Sequence, residues 1–350
     1  MEKPTAERRL RFFAFTRLTT LLLIGGLTAA ALSAQVNSGG FLAADFAKGQ
    51  KQSAYPDAGF QRPLLGLTLY GESSGRISYF GQALFTPDED FTVTDAWVRF
   101  ALADYLLVRL GLYTVPFAEY NENSLPHQSR LAVRPLHAEY LFPRLWRDVG
   151  VMAEGRWSGL TYSAWLGNGP AEAETLAGGQ QFRDNNADKA WGLRAGLDLG
   201  QGTQVVYSLS RSHPDAGGER ALNLQALNLS WRTTEIEITA EYTRARFDAP
   251  DLFDEGAGDG YLVQAVVHFS FLIPVISYQK IDYSDGFRGT GFAGAGFPGA
   301  GIDVERTRWT VGAVFPLAAG FDLKLEYDVN REPEPSVDDN LLTIQLAARF

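Results

Sequence analysis

The feature that most constrains this chain is a repeat: from Val36 onward, segments of about ten residues alternate apolar and polar side chains and are separated by turn-forming residues. A period of two sends successive side chains to opposite faces of a strand. In the last segment Leu342, Ile344, Leu346, Ala348 and Phe350 share one face, and Thr343, Gln345, Ala347 and Arg349 share the other. Just upstream, Phe321, Leu323, Leu325, Tyr327 and Val329 alternate with Asp322, Lys324, Glu326 and Asp328. A soluble sandwich alternates in the same way, so the rhythm of the connections has to separate the two. About sixteen segments begin near residues 36, 60, 76, 92, 105, 149, 160, 190, 203, 220, 235, 260, 273, 304, 320 and 340. Short links fall at 71–75, 102–104, 157–159, 200–202, 232–234, 271–273 and 316–319, and long ones include 114–148, 169–189, 248–259 and 284–303. Alternating short and long links predict an all-β fold, a transmembrane antiparallel β-barrel of about 16 strands with short periplasmic turns and long external loops.

The N-terminus reads differently. Arg8, Arg9, Arg11 and Arg17 precede an apolar stretch over 18–32, with small residues at Ser33 and Ala34. This pattern predicts a signal peptide over 1–34 that is removed, leaving 35–350 as the barrel domain. The stretch, interrupted by Gly25 and Gly26, falls short of the roughly twenty residues of a membrane-spanning helix. Arg8-Arg9 has a twin-arginine look, but a barrel crosses the inner membrane unfolded, so general secretion is expected. No later apolar run reaches the roughly eighteen residues of a helical span, so any span must be made of strands.

Composition excludes several classes. The chain has no cysteine, and so no disulfide, no thiolate metal site and no lipid anchor on a processed cysteine. Without the five basic and two acidic residues of the first 34, there remain 26 basic and 39 acidic residues, a net charge of about −13 that argues against nucleic acid as a partner. The glycine-rich GTGFAGAGFPGAG at 289–301 is followed by neither a helix pattern nor Lys-Ser/Thr, so it reads as an external loop and not a phosphate cradle. The acids of 251–259 lack the spacing of a calcium loop. No cofactor or metal is expected. His127, His137, His213 and His268 have no recognisable serine or aspartate partner motif, so no enzyme is expected.

Around sixteen strands enclose an aqueous channel, whereas about eight are filled by side chains. Selectivity in such a channel comes from charged rings and from a constriction, and the 114–148 link is the best candidate for a long loop folded into the lumen. It carries Arg130, Arg134, Arg144, Arg147, His127 and His137 against Glu119, Glu122, Glu139 and Asp148, which is close to neutral. Alternation places Arg99, Arg109, Arg194, Arg306, Arg308, Lys324 and Arg349 on the lumen side. They make a track for anions, since guanidinium forks match phosphate oxygens. The competing expectation is that these cations pair with Asp95, Asp198, Glu237, Glu241, Asp322 and Glu326 and only hold the wall. Phe100, Phe315, Phe321 and Phe350 sit at one set of strand ends and Trp191 and Tyr242 toward the other, as bilayer interfaces favour. The terminal Phe350 is the expected assembly signal for the barrel-assembly machinery.

Three stretches carry a family resemblance. Residues 111–119 read GLYTVPFAE, 147–151 read RDVGV and 160–169 read LTYSAWLGNG. In order and spacing they resemble the phosphate-selective porin O and P family, most specifically over 105–169. Ala118 stands where the family usually has glycine, and Leu112 where it often has lysine. The resemblance implies a sixteen-stranded, trimeric barrel with the loop between its fifth and sixth strands in the lumen, and no catalytic residues. The expected function is passive diffusion of small hydrophilic solutes across the bacterial outer membrane, with anions such as phosphate or polyphosphate favoured. Outer-membrane lipid and lipopolysaccharide would surround the barrel. A general nonselective or cation-preferring porin is the alternative.

Overall fold

The computed structural model describes residues 35–73, 75–87, 91–173, 176–249, 253–283, 305–332 and 337–350. The expected signal peptide and the glycine-rich stretch at 289–301 lie outside the described residues, as does part of the acidic stretch at 251–259.

Sixteen strands follow one another: β1 (Gln35–Gly49), β2 (Gly59–Glu72), β3 (Ile77–Phe85), β4 (Thr92–Ala103), β5 (Leu106–Thr114), β6 (Arg147–Trp157), β7 (Leu160–Gly167), β8 (Ala190–Gly200), β9 (Thr203–Ser212), β10 (Ala221–Arg232), β11 (Ile236–Ala249), β12 (Phe253–Val267), β13 (Ile273–Tyr283), β14 (Arg306–Ala318), β15 (Phe321–Arg331) and β16 (Leu341–Arg349). Each pairs antiparallel with its neighbours in sequence, and β1 pairs with β16, so the sheet is a closed barrel without a free edge. Closure lets neighbouring strands satisfy one another's backbone polar groups inside the sheet, the condition for strands to cross lipid. Links at one end run from two to five residues, while at the other end lies the 115–146 segment between β5 and β6.

The wall shows which side faces what. In β10, Leu222, Leu224, Ala226, Asn228 and Ser230 are buried, whereas the intervening Leu227, Leu229 and Trp231 are exposed. The same outward row continues in Trp191, Leu193, Tyr207, Ile238, Tyr261, Val263, Ile276, Trp309, Val311, Leu325 and Tyr327. A belt of that extent around a closed barrel is stable in lipid and not in water.

Phe350 closes the ring. Its backbone N–H donates to the Gly40 carbonyl at 2.9 Å and its carbonyl accepts from the Gly40 N–H at 2.8 Å. A Cβ on Gly40 would lie 2.8 Å from the Phe350 ring and 2.7 Å from the Gly66 carbonyl, so glycine is required under the terminal ring.

One boundary differs from the sequence reading. The eleventh strand runs to Ala249 and the twelfth starts at Phe253 and not near 260, so most of the long link expected over 248–259 is strand. Gly256, Ala257 and Gly258 lack the amphipathic alternation by which strands are read, yet they pair with Phe247, Arg246 and Ala245. Ladder hydrogen bonds do not depend on side chains, so a hairpin can continue where the lipid-facing pattern stops.

Candidate functional site

The 115–146 segment leaves β5 and returns at β6, but its partners lie across the barrel. It contains two short helices, α1 (Glu119–Glu122) and α2 (Leu136–Tyr140). Glu241 of β11 accepts the Glu119 N–H and the His137 Nε2–H, both at 2.6 Å. Gln279 of β13 accepts the Leu136 N–H at 2.9 Å, and Arg306 of β14 donates to the Tyr140 hydroxyl at 2.9 Å. Arg308 of β14 donates to the Arg134 carbonyl at 3.1 Å. On β15, Lys324 donates to the carbonyls of Pro126 (2.6 Å) and Leu131 (3.3 Å), while Glu326 accepts the N–H groups of Ala132 (2.7 Å) and Val133 (2.9 Å). These are inward-facing positions of strands up to half the ring away from β5.

Apolar packing reinforces the bonds. Phe117, Leu136, Leu141, Phe142 and Trp146 cluster with Leu222, Leu224, Ala245, Phe247 and Ile281 of the far wall, and Leu131 packs with Val266, Val275 and Val314. Each fully buried large side chain contributes about 1.5–3 kcal/mol.

The two ends of the segment are clamped together. Asp95 of β4 accepts the Thr114 N–H at 3.1 Å where the segment begins, and pairs with Arg147 at 3.3 Å where it ends. Asn121 donates to the carbonyls of Val115 (2.8 Å) and Trp146 (3.2 Å) and accepts the Trp146 N–H at 3.0 Å. Asp148 accepts the N–H groups of Asn168 and Gly169, both at 2.9 Å, which ties RDVGV to the NG that ends LTYSAWLGNG. Gly169 has φ +80 and a Cβ there would meet Ala190 at 2.6 Å. Ala118 adopts φ 56 and ψ 157, backbone that glycine takes without strain and alanine does not. The glycine usual at that position in the resembling family has its physical reason here.

The basic residues singled out in the sequence fall into distinct settings. The Arg109 Nη2 donates to both Glu154 carboxylate oxygens at 2.8 Å and its guanidinium lies over Trp97, while Arg99 bonds Ser78 at 3.0 Å and lies 3.9 Å from Glu154. Arg194 binds Glu119 at 3.0 Å and also Glu122. Arg134 turns back into its own segment, donating to the Ala138 carbonyl at 2.7 Å beside Tyr120 and Phe142. Arg144 pairs with Glu139, and Arg147 is buried against Asp95. Arg306, Arg308 and Lys324 hold the crossing segment, Arg308 also bonding Asn330 at 2.7 Å. Arg130 alone of the ten has no hydrogen-bond or ion-pair partner among the described residues.

Arg130 lines a cavity of about 350 Å³ between the crossing segment and the inner faces of β10, β11 and β12. Its wall carries Glu119, Glu237 and Glu241, each already engaged: Glu119 by Arg194 and Arg232, Glu237 by Arg232 at 3.0 Å, and Glu241 by His137. Thr239 and Gln264 add polar groups that bond nothing else among the described residues.

His127 lies on the same segment, its ring 4.4 Å from that of Phe41. Burial, with the charges of Arg349 and Lys324, lowers its pKa to about 4, against about 6.5 for a free imidazole. Above about pH 6.5 the ring is neutral whether the segment is docked or not, so docking is strongest there. As pH falls from about 6.5 to about 4 the undocked segment takes up a proton that the docked one refuses, and docking weakens by about 1–2 kcal/mol after allowance for solvent screening. Single-channel recordings should show current fluctuations growing over that window, and His127→Phe should remove the increment.

No protein-family model matches the sequence, and no curated protein matches it. Solved structures do match the fold. A loop-deletion form of OmpT, an outer membrane protein of Vibrio cholerae, superposes with a TM-score of 0.67 at 11% identity, over 91% of this chain and 100% of its own. The fold is that of the outer-membrane porins. The anion-selective porin of Comamonas acidovorans superposes with a TM-score of 0.66 at 12% identity, over 90% of this chain and 99% of that one. The trimer form of Vibrio cholerae OmpT gives 0.63 at 14% identity, over 91% and 100%. With its exposed apolar belt, a barrel of this porin fold is an integral outer-membrane protein.

Proposed function

We propose that this porin fold lets small hydrophilic solutes diffuse passively through the outer membrane, with a preference for anions. The observation that carries the reading is the 115–146 segment, bonded across the ring to β11, β13, β14, β15 and β16, which narrows the lumen it crosses. The anion preference rests on a guanidinium at that narrowing that no carboxylate binds among the described residues. The acids of the cavity are each bonded, Glu119 and Glu237 to arginines and Glu241 to the His137 ring, whereas the side chains of Arg130 beside them and of Arg349 on the inward face of β16 have no partner among the described residues. In a narrow, partly desolvated passage uncompensated charge decides the field more than net charge in external loops does. Phosphate, which the family resemblance implies, enters as one anion among several. The likeness to an anion-selective porin and to a trimeric OmpT supports anion passage and a homotrimer. Phe350, seated on Gly40, is the assembly signal in this reading, and lipopolysaccharide surrounds the outer rim.

One observation favours a nonselective or cation-preferring pore: Asp322, on the inward face of β15 near the short-turn end, also has no partner among the described residues. The reversal potential across a planar bilayer in a potassium chloride gradient decides between them. An anion-preferring pore draws it toward the chloride equilibrium potential, and Arg130→Glu should move it the other way. A wild-type potential at the potassium side rejects the anion reading, and absence of any conductance rejects the porin.

A further inference from the structure

The geometry points to a small monoanionic carboxylate carrying hydroxyl groups, such as a sugar acid, as the preferred solute of the Arg130 cavity, in place of a divalent oxyanion such as phosphate. This rests on the porin reading above and goes beyond it by naming the chemistry of the solute.

Three features of the cavity converge. Its one uncommitted charge is the Arg130 guanidinium, whose fork matches a single carboxylate in bidentate geometry. Glu119, Glu237 and Glu241 stand in the same wall and share the guanidiniums of Arg194 and Arg232, Arg194 serving Glu122 as well, so carboxylates outnumber guanidiniums there before Arg130 is counted. A monoanion held by Arg130 meets less repulsion from those carboxylates than a dianion does in a partly desolvated space.

The neutral lining points the same way. The Thr239 hydroxyl and the Gln264 side-chain amide have no partner among the described residues, and they provide both donors and acceptors. Phosphate oxygens at neutral pH mostly accept, so they leave acceptor positions idle, while hydroxyl groups on a carbon chain use both kinds. Leu131 and Leu262 give the cavity an apolar strip against which such a chain's C–H groups can lie. The cavity of about 350 Å³ is within the roughly 300–1,000 Å³ of small-molecule sites.

Block of chloride current tests the assignment. The purified pore is held in a planar bilayer and titrated separately with sodium gluconate, inorganic phosphate and glucose. Gluconate should reduce the current at a concentration at least about tenfold below that of phosphate, and glucose should block least, since a fork bonded to a carboxylate is the main attraction. Arg130→Gln should raise the half-blocking concentration of gluconate by about tenfold or more, and Arg130→Lys should recover part of it. Gln264→Leu should weaken gluconate block several-fold while leaving phosphate block as it was. Arg76→Gln, at a short turn on the rim, should change none of these. Residual chloride current in each variant reports an assembled pore. Phosphate block as tight as gluconate block, or gluconate block unaffected by Arg130→Gln, overturns the assignment while the porin stands. A wild-type protein that passes no chloride removes the porin reading, and this one with it.

Discussion

Asp95→Ala should lower the stability of the assembled barrel by about 3–5 kcal/mol, the usual cost of removing one partner of a buried ion pair. Arg147 is only 4% exposed, and Asp95 supplies its carboxylate at 3.3 Å, leaving the Trp146 carbonyl at 3.2 Å as the other acceptor. The aspartate also accepts the Thr114 N–H and the Thr114 hydroxyl, so the loss falls on both ends of the crossing segment together. Asp95→Asn keeps an acceptor for Thr114 but no charge for Arg147, and should lie between alanine and wild type. The midpoint of heat-induced unfolding in detergent measures the effect. An alanine variant that unfolds with the wild type would show that Arg147 finds compensation elsewhere and that the clamp does not stabilise the barrel.

That clamp shows what the sequence makes legible and what it does not. The strand starts follow from period-two patterning to within two residues everywhere but β12, because lipid on one side and water on the other impose the alternation locally. At β12 the pattern disappears in a stretch rich in glycine and acid while pairing continues, so the boundary was invisible. The long link between β5 and β6 is legible by its length alone. Its docking is not, because the acceptors that fix it, Glu241, Gln279 and Glu326, are separated from it by 104 to 194 residues and look like ordinary members of alternating strands. Asn121, which staples the base of the segment, has no distinguishing signal in EYNEN.

The candidate site follows the same division. Alternation singles out Arg99, Arg109, Arg194, Arg306, Arg308, Lys324 and Arg349 together, but which arginine lacks a bonded partner depends on pairings between strands far apart in sequence. Arg194 with Glu119 spans 75 residues, and Arg109 with Glu154 spans 45. Arg130 stands out only after those pairs are known. The glycine usual at position 118 becomes intelligible in the same way, since only the backbone reveals φ 56 there.

Glu326→Ala separates the crossing segment from the wall without touching the barrel ladder. The carboxylate accepts two N–H groups, Ala132 at 2.7 Å and Val133 at 2.9 Å, and is 3% exposed. The alanine variant leaves two buried donors without an acceptor, at about 1–3 kcal/mol each, so docking at that point weakens by about 2–6 kcal/mol. Leu131 and Lys324 hold the neighbouring turn by packing and by the Leu131 carbonyl, so the expected change is a segment that leaves the wall intermittently. Single-channel conductance should rise, by up to roughly twofold if the freed lumen widens as the segment moves, and protease cleavage within 125–135 should become faster. Thermal unfolding should change little, in contrast to Asp95→Ala, because β14, β15 and β16 keep their ladder hydrogen bonds. Glu326→Gln retains an acceptor oxygen and should lie between. Unchanged conductance and unchanged cleavage in Glu326→Ala would mean that the remaining anchors on β11 and β13 suffice, and that the segment is held at its helices and not at its tip.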